Sequence, residues 1–364
     1  MHQKIYFDLS TLANTFAGSA VYCWEICHRL MRLSQTLEVI PISCPFSTVG
    51  RKGFARSVNA ILRDILWNNW LFGLEANPED YFIFPNIILP KQFAGCKYAV
   101  VVHDIGAWHN PEYLSWRGRI TMQNLPKAVK NADRVFTVSD FTADDIAKEF
   151  GIAREKIVVA PNALSDIFKQ LAPLPETING VTLGDNPYFL HVGSFEPKKN
   201  LQFLLKVYEN YRELDRSNSN PVKLVVTGGE SWKSSDFYQQ MRQSKYARDI
   251  LVLGRVNNKD LPSLYRGATA FIFPSIFEGF GIPVIESLSQ GTPVLINANT
   301  ALTQFKEFGA TVFEHFDAQI WAEELEKILS NRQRVGQTDI DRVITYFDWD
   351  RSAKIIAETL KLGY

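Results

Sequence analysis

The chain has 364 residues, enough for two separate cores, and its 39 basic residues are balanced by 39 acidic ones to a formal net charge of zero. With no global field to draw nucleic acid or an anionic surface, any anion site must be local, and no nucleic-acid partner is expected. Cysteines at 23, 27, 44 and 96 lack C-x-x-C spacing and read as free thiols of a reducing compartment; the short apolar start and the lack of a long apolar run predict a cytoplasmic protein with no spanning helix.

The first strand, KIYFDLS, runs into a loop in which Gly18 is flanked by Ala17, Ser19 and Ala20. Small residues let backbone amides approach a phosphate or an acceptor, which makes Gly18 and Ser19 candidate site members. After the run EVIPIS comes GRKGFARSVNAILRDILWNNWLFG, residues 50 to 73, an amphipathic helical pattern. Its stripe of Phe54, Val58, Ile61 and Ile65 reads as core packing, while Trp67, Trp70, Arg51, Lys52, Arg56 and Arg63 are left open as an acceptor or lipid surface. DYFIFPN and YAVVVHD follow; the second ends on His103 and Asp104, so the imidazole emerges at the carboxyl edge of a buried strand, a place for a site residue. RVFTVSD and KIVVAPN complete the first series.

Residues 169 to 187 are rich in Pro, Gly and Asn and read as a linker. A second series of strands follows: PYFLHVG, VKLVVTG, DILVLG, AFIFPS and PVLIN. Strands alternating with helices predict parallel sheets covered on both faces, and two such series predict two Rossmann-like domains, an α/β architecture. Lys198 and Lys199 precede the helical run LQFLLKVY. Cations at the positive end of a helix oppose its dipole by ~0.3 to 1 kcal/mol, a cost that points to use as a diphosphate site. Gly193, Gly228 and the pair Arg255 and Val256 lie at other strand ends.

The segment FEGFGIPVIES, 277 to 287, carries the densest signal. It follows a strand and sets Glu278 in a loop and Glu286 inside the next helix, around Gly279, Phe280 and Gly281. The glycines allow amides at a helix start to face an anion, and Glu286 can accept from paired hydroxyls. Phosphate and polyol together point to a nucleotide sugar. The triplets Asp339/Asp341 and Asp348/Asp350 read as helix caps, and no metal is assigned.

PSIFEGFGIPVIESLSQGTPVLI is similar to the donor-site signature of the retaining glycosyltransferase family 4. VGSFEPKKN resembles that family's phosphate segment, and LVLGRVNNKDLPSLYRGATAFIF its base-binding strand and helix. The first half resembles it more loosely, through VVHDIGAWHNPEY, RVFTVSDFTADDI and KIVVAPNAL. Ser194 stands where many relatives carry arginine, with Lys198 as the compensating cation, and Thr303 and Gln304 replace a usual proline and glutamate.

The resemblance implies a GT-B fold with two parallel sheets facing across a cleft: residues 1–168 on the acceptor side, 188–345 on the donor side, and 346–364 returning as a helix to the first domain. It implies a retaining hexosyltransferase without a cofactor, using a donor such as GDP-mannose, a UDP-sugar or a dTDP-sugar and a glycan or lipid-linked acceptor in bacterial surface polysaccharide synthesis, with peripheral contact at the inner membrane face. Lys199 would touch the distal phosphate, Glu286 the ribose, and Glu278 and His103 the transferred sugar. Epimerisation, phosphorolysis and a non-catalytic binding subunit stay open. An NAD-dependent oxidoreductase is disfavoured because no G-x-G-x-x-G follows the first strand.

Overall fold

The computed structural model describes residues 4–13, 18–33, 38–43, 77–85, 96–111, 119, 122–184, 186–214, 221–229 and 234–360. The basic and aromatic segment 50 to 73 lies outside them, as do Cys44 and Ala17. The chain divides into two compact units, Met1–Asn162 with Asp348–Tyr364, and Ala163–Phe347. No helix among the described residues is long and apolar enough to cross a membrane.

The first unit is built on a six-stranded parallel sheet in the order β2-β1-β3-β4-β5-β6. Its strands are β1 (Lys4–Asp8), β2 (Glu38–Ile42), β3 (Tyr81–Phe84), β4 (Lys97–Val102), β5 (Arg134–Thr137) and β6 (Ile157–Val159). Runs such as YFIF are buried at every position, as a sheet covered on both faces requires. Tyr6, Phe82 and Phe84 pack with Val129, Ile146 and Phe150 from the helices on one face. The helix Asp140–Phe150 starts on Ser139, whose side chain accepts from Thr142 N, and stops at Gly151 in the left-handed region.

The last helix, Trp349–Thr359, belongs to this unit although the whole of the second unit precedes it in the chain. Asp348 caps it by accepting from the amides of Asp350 and Arg351, so that carboxylate is committed to the backbone. The helix lies on Gly18–Leu33: Arg29 Nε meets Asp350 Oδ1 at 3.0 Å, and the Trp349 ring sits edge-on to Tyr22 at 5.7 Å. Trp349 is fully buried. Removing roughly 200 Å² of aromatic surface from water at ~25 cal/mol per Å² is worth on the order of 5 kcal/mol before entropy.

The second unit carries β9 (Tyr188–Val192), β10 (Lys223–Thr227), β11 (Ile250–Gly254), β12 (Ala270–Phe273), β13 (Val294–Asn297) and β14 (Thr311–Phe313), after the short hairpin β7 (Thr177–Ile178) and β8 (Val181–Thr182). The sheet order is β11-β10-β9-β12-β13-β14, all parallel. The chain winds one way from β9 to β11 and the other way from β12 to β14. The loops leaving β9 and β12 therefore part from each other, and the crevice of an open α/β sheet opens at that point.

The segment expected as a linker, 169–187, is instead fastened to the second unit, and the first unit ends at Asn162 rather than residue 168. Gln290 Nε2 donates to the carbonyls of Phe168 and Gln170 at 3.2 and 3.0 Å, and its Oε1 accepts from Ala172 N at 2.9 Å. Asn179 Nδ2 donates to the carbonyls of Leu253 and Arg255, each at 2.9 Å. Gln290 thus satisfies backbone groups of a stretch that has almost no strand ladder of its own, and Asn179 fastens that stretch to the end of β11.

Candidate active site

The site grows from the ends of β9 and β12. Beyond Val192 the chain turns through Gly193 and Ser194 to a single turn of 3-10 helix, Pro197–Lys199, and Asn200 in the left-handed region precedes the helix Leu201–Leu214. Beyond Phe273 it runs to Gly281 and enters the helix Ile282–Ser289. Ile276 N donates to Lys198 O at 2.8 Å, joining the two loops. Gly228 is required at the next strand end: its φ is 152°, and a Cβ there would stand 1.8 Å from Gly193 O. Gly281, at φ 115°, has no room for a Cβ, which would meet Leu302 at 2.6 Å.

Lys199 Nζ meets Glu278 Oε1 at 2.5 Å, with side chains only 11% and 10% exposed. The ammonium also stands 4.8 Å from the centre of the Phe273 ring. Burial pushes the Glu278 carboxyl up, but the charges of Lys199 and Lys198 and the hydrogen bond from Lys199 outweigh it, so its pKa is lowered and it is ionised. A buried pair of this kind contributes little net stability because desolvation offsets the Coulomb gain. Its presence at a strand-end crevice is better explained by chemistry than by folding.

Glu286 differs. On the helix Ile282–Ser289, its Oε2 accepts from Tyr265 OH at 2.9 Å. Burial raises its pKa to about 7, against the lowering effect of that hydrogen bond. Two carboxylates eight positions apart thus titrate far apart, one held charged by lysines and the other poised near neutral pH to lose or gain a proton.

The sequence profile of the family described as "Glycosyl transferases group 1" matches residues 177–340, and that described as "Glycosyltransferase Family 4" matches residues 80–166. The chain belongs to the group 1, family 4-type glycosyltransferases. It is 31% identical over 231 residues to O-antigen chain mannosyltransferase B of Escherichia coli, a match that spans 62% of this chain and 59% of that relative. It is 26% identical over 264 residues to O-antigen chain mannosyltransferase RfbU of Salmonella typhimurium, covering 72% of this chain and 68% of the relative. Among solved structures, sucrose-phosphate synthase from Thermosynechococcus elongatus superposes with a TM-score of 0.74 at 16% identity over 99% of this chain and 98% of that one. The fold is GT-B.

Within the second unit of this glycosyltransferase, Gly193, Lys198, Lys199 and Glu278 come together at the crevice, with Gly281 opening the helix that carries Glu286. Ser194 turns its hydroxyl to Glu196 Oε1 at 3.0 Å. Phe280 does not present its ring to a ligand; it is buried edge-on against Phe305 and Phe347 at 5.4 and 5.6 Å. Gly228 serves the approach of the β10 end to Gly193. Arg255 is exposed with its carbonyl bonded to Asn179, and Val256 is half-buried beside it. Thr303 closes its own turn by donating to Ala298 O at 2.6 Å.

In the first unit, His103 follows β4. Its ring has a backbone hydrogen bond with Pro85, and proline can only accept there, so a ring nitrogen donates. Nε2 is buried without a hydrogen-bond partner among the described residues, which assigns the hydrogen to Nδ1. Burial lowers the ring's pKa and keeps it neutral. Tyr22 lies edge-on to the imidazole at 5.1 Å, and Asp104 Oδ1 accepts from Gly106 N at 3.0 Å, fixing the turn after the strand. Gly18 and Ser19 open the helix Gly18–Leu33, Gly18 exposed and Ser19 half-buried.

Sequence reasoning missed Tyr265, which tunes Glu286, and His191, Phe273 and Tyr22. His191 alone left a signal, as the one polar residue inside the apolar strand YFLHV.

Proposed function

We propose that this glycosyltransferase transfers a hexosyl group from a nucleotide sugar to a glycan or lipid-linked acceptor with retention of configuration, in the synthesis of a surface polysaccharide. The observation that carries the reading is the buried Lys199–Glu278 pair at the β9/β12 crevice with Glu286 on the following helix. The two O-antigen mannosyltransferase relatives support mannose from GDP-mannose as the first donor to test, ahead of UDP- and dTDP-sugars. A peripheral position at the inner membrane face suits a lipid-linked acceptor.

In the transfer the bond from the anomeric carbon to the diphosphate breaks, a bond to the acceptor oxygen forms, and the acceptor's proton passes to the leaving phosphate oxygen. Negative charge builds on the diphosphate, which Lys199 and the amides at the start of Leu201–Leu214 stabilise. Glu286 holds the ribose hydroxyls and Glu278 those of the sugar. His103, neutral with its lone pair on Nε2, orients a sugar hydroxyl as an acceptor instead of attacking the anomeric carbon. The charge at the diphosphate is met by lysine and amides, so turnover is expected to survive excess EDTA.

A thermal-shift panel of GDP-mannose, UDP-sugars and dTDP-sugars, followed by nucleoside diphosphate release with and without EDTA, tests this. A cognate donor at 100 times its dissociation constant should add about 2.7 kcal/mol. No stabilisation by any donor would remove the donor reading; turnover that stops in EDTA and returns with magnesium would remove metal independence; epimerised sugar formed without acceptor would replace transfer by epimerisation.

A further inference from the structure

His191 is the one polar residue of β9 and is fully buried. Its Nδ1 lies 2.9 Å from the Ile272 carbonyl on the adjacent β12. A carbonyl only accepts, so Nδ1 carries the hydrogen and Nε2 the lone pair. Nε2 is out of solvent and has no hydrogen-bond partner among the described residues. Burial above all lowers the ring's pKa, to about 4, so the imidazole is neutral at physiological pH.

That lone pair faces the donor crevice. A Cβ on Gly193 would stand 3.3 Å from His191 Nε2 and 3.7 Å from both Cδ and Cε of Lys199. Nε2 and the lysine stem therefore border one small space, which stays open because residue 193 has no side chain. The imidazole also stacks at 6.0 Å and 22° on Phe273, the ring that lies under the Lys199 ammonium. A neutral acceptor without a donor, beside a lysine held by a single carboxylate oxygen, is an unused seat for that lysine.

We propose that His191 is a positioning residue for Lys199: when a diphosphate draws the ammonium off Glu278, one of its three hydrogens is taken by His191 Nε2 and the other two are left for phosphate oxygens. This rests on the donor-site reading. Glu278 is then released for the hydroxyls of the sugar, and the lysine keeps a fixed place while its first partner is occupied. A neutral imidazole performs this role and an imidazolium does not, which gives a purpose to the burial that suppresses its protonation.

The test is nitrogen NMR of the full chain with labelled histidine, titrated with inorganic pyrophosphate, GDP and UDP while calorimetry follows binding. His191 Nε2, identified with His191→Phe, should start as an unbonded acceptor and move upfield on binding, and this movement should vanish in Lys199→Met at saturation. Binding with the Nε2 signal unmoved, or an equal movement in Lys199→Met, overturns the proposal while leaving the donor site in place. No binding of any of the three to the unaltered protein overturns the donor-site reading and this proposal with it. In affinity, His191→Phe, which keeps a flat ring against Phe273, should weaken pyrophosphate about tenfold, His191→Gln should recover part of that, and the loss should disappear in a Lys199→Met background. Equal losses in both backgrounds overturn it.

Discussion

Each unit holds one histidine in the same electronic state, with Nδ1 donating to a backbone carbonyl and Nε2 buried without a partner among the described residues, yet the surroundings differ. His191 stands beside an ion pair, among Lys199, Glu278 and Phe273. His103 stands edge-on to Tyr22, which is itself edge-on to Trp349, with the Asp104 carboxylate beside it and, among the described residues, no cation against it. The second unit is equipped to exchange charge with an anionic ligand. The first offers a rigid uncharged acceptor. One tautomer thus serves two tasks, and the neighbours decide which.

The largest effect should come from splitting the ion pair. Lys199→Met or Glu278→Gln leaves a charge or its partner buried alone, which costs ~3 to 5 kcal/mol, and both should lower turnover by ~100-fold or more. The double variant should recover much of the stability and none of the turnover. Thermal unfolding of all three reads this, and single variants as stable as the parent would show that solvent already screens the pair. His103→Ala, in the first unit, should lower turnover by ~100-fold while leaving nucleoside diphosphate affinity nearly unchanged. A loss of affinity as large as the loss of turnover would erase the proposed division between the units.

Much of this contrast was legible in the sequence because its elements are long or chemically marked. All eleven apolar runs form strands, and Glu278 and Glu286 occupy the loop and helix that their glycine turn required. β14 was not, since TVF is three residues with no run to mark it, and neither was the β7–β8 hairpin, whose two-residue strands lie in a stretch that reads as linker. What ties that stretch down is the side chain of Gln290, over a hundred residues away, and no local pattern encodes such a partner. The ring of Phe280 goes to a cluster completed by Phe347, also distant in the chain. Tyr265 became visible only when its helix was placed against the one carrying Glu286, and the carbonyl that fixes the His191 tautomer only when β9 and β12 were placed side by side.

A smaller effect concerns pH. The Glu286 carboxyl is raised in the folded protein to about 7, so the folded state binds more protons than the unfolded one between about pH 4.5 and 7. Stability should therefore fall relative to Glu286→Gln as pH rises through that window, with no difference below it. Affinity for a bare nucleoside should rise over the same window, because ribose hydroxyls donate to the charged carboxylate, and should be flat in Glu286→Gln. Melting temperatures and nucleoside titrations from pH 5 to 8 check both. The smallest effect is Tyr22→Phe: its hydroxyl is buried without a partner among the described residues, so its removal should cost less than ~1 kcal/mol and leave the ring in place against His103. A large loss of turnover there would mean that the hydroxyl, not the ring, serves the first unit.

The most direct test of a donor site built on the second unit is calorimetric titration of GDP, UDP and dTDP into the parent protein and into Lys199→Met, Glu286→Ala and His103→Ala. The account predicts that one nucleotide binds the parent, that Lys199→Met and Glu286→Ala weaken it at least tenfold, each worth about 1.4 kcal/mol or more, and that His103→Ala binds as the parent does. Parent-like affinity in Lys199→Met and Glu286→Ala together would contradict it.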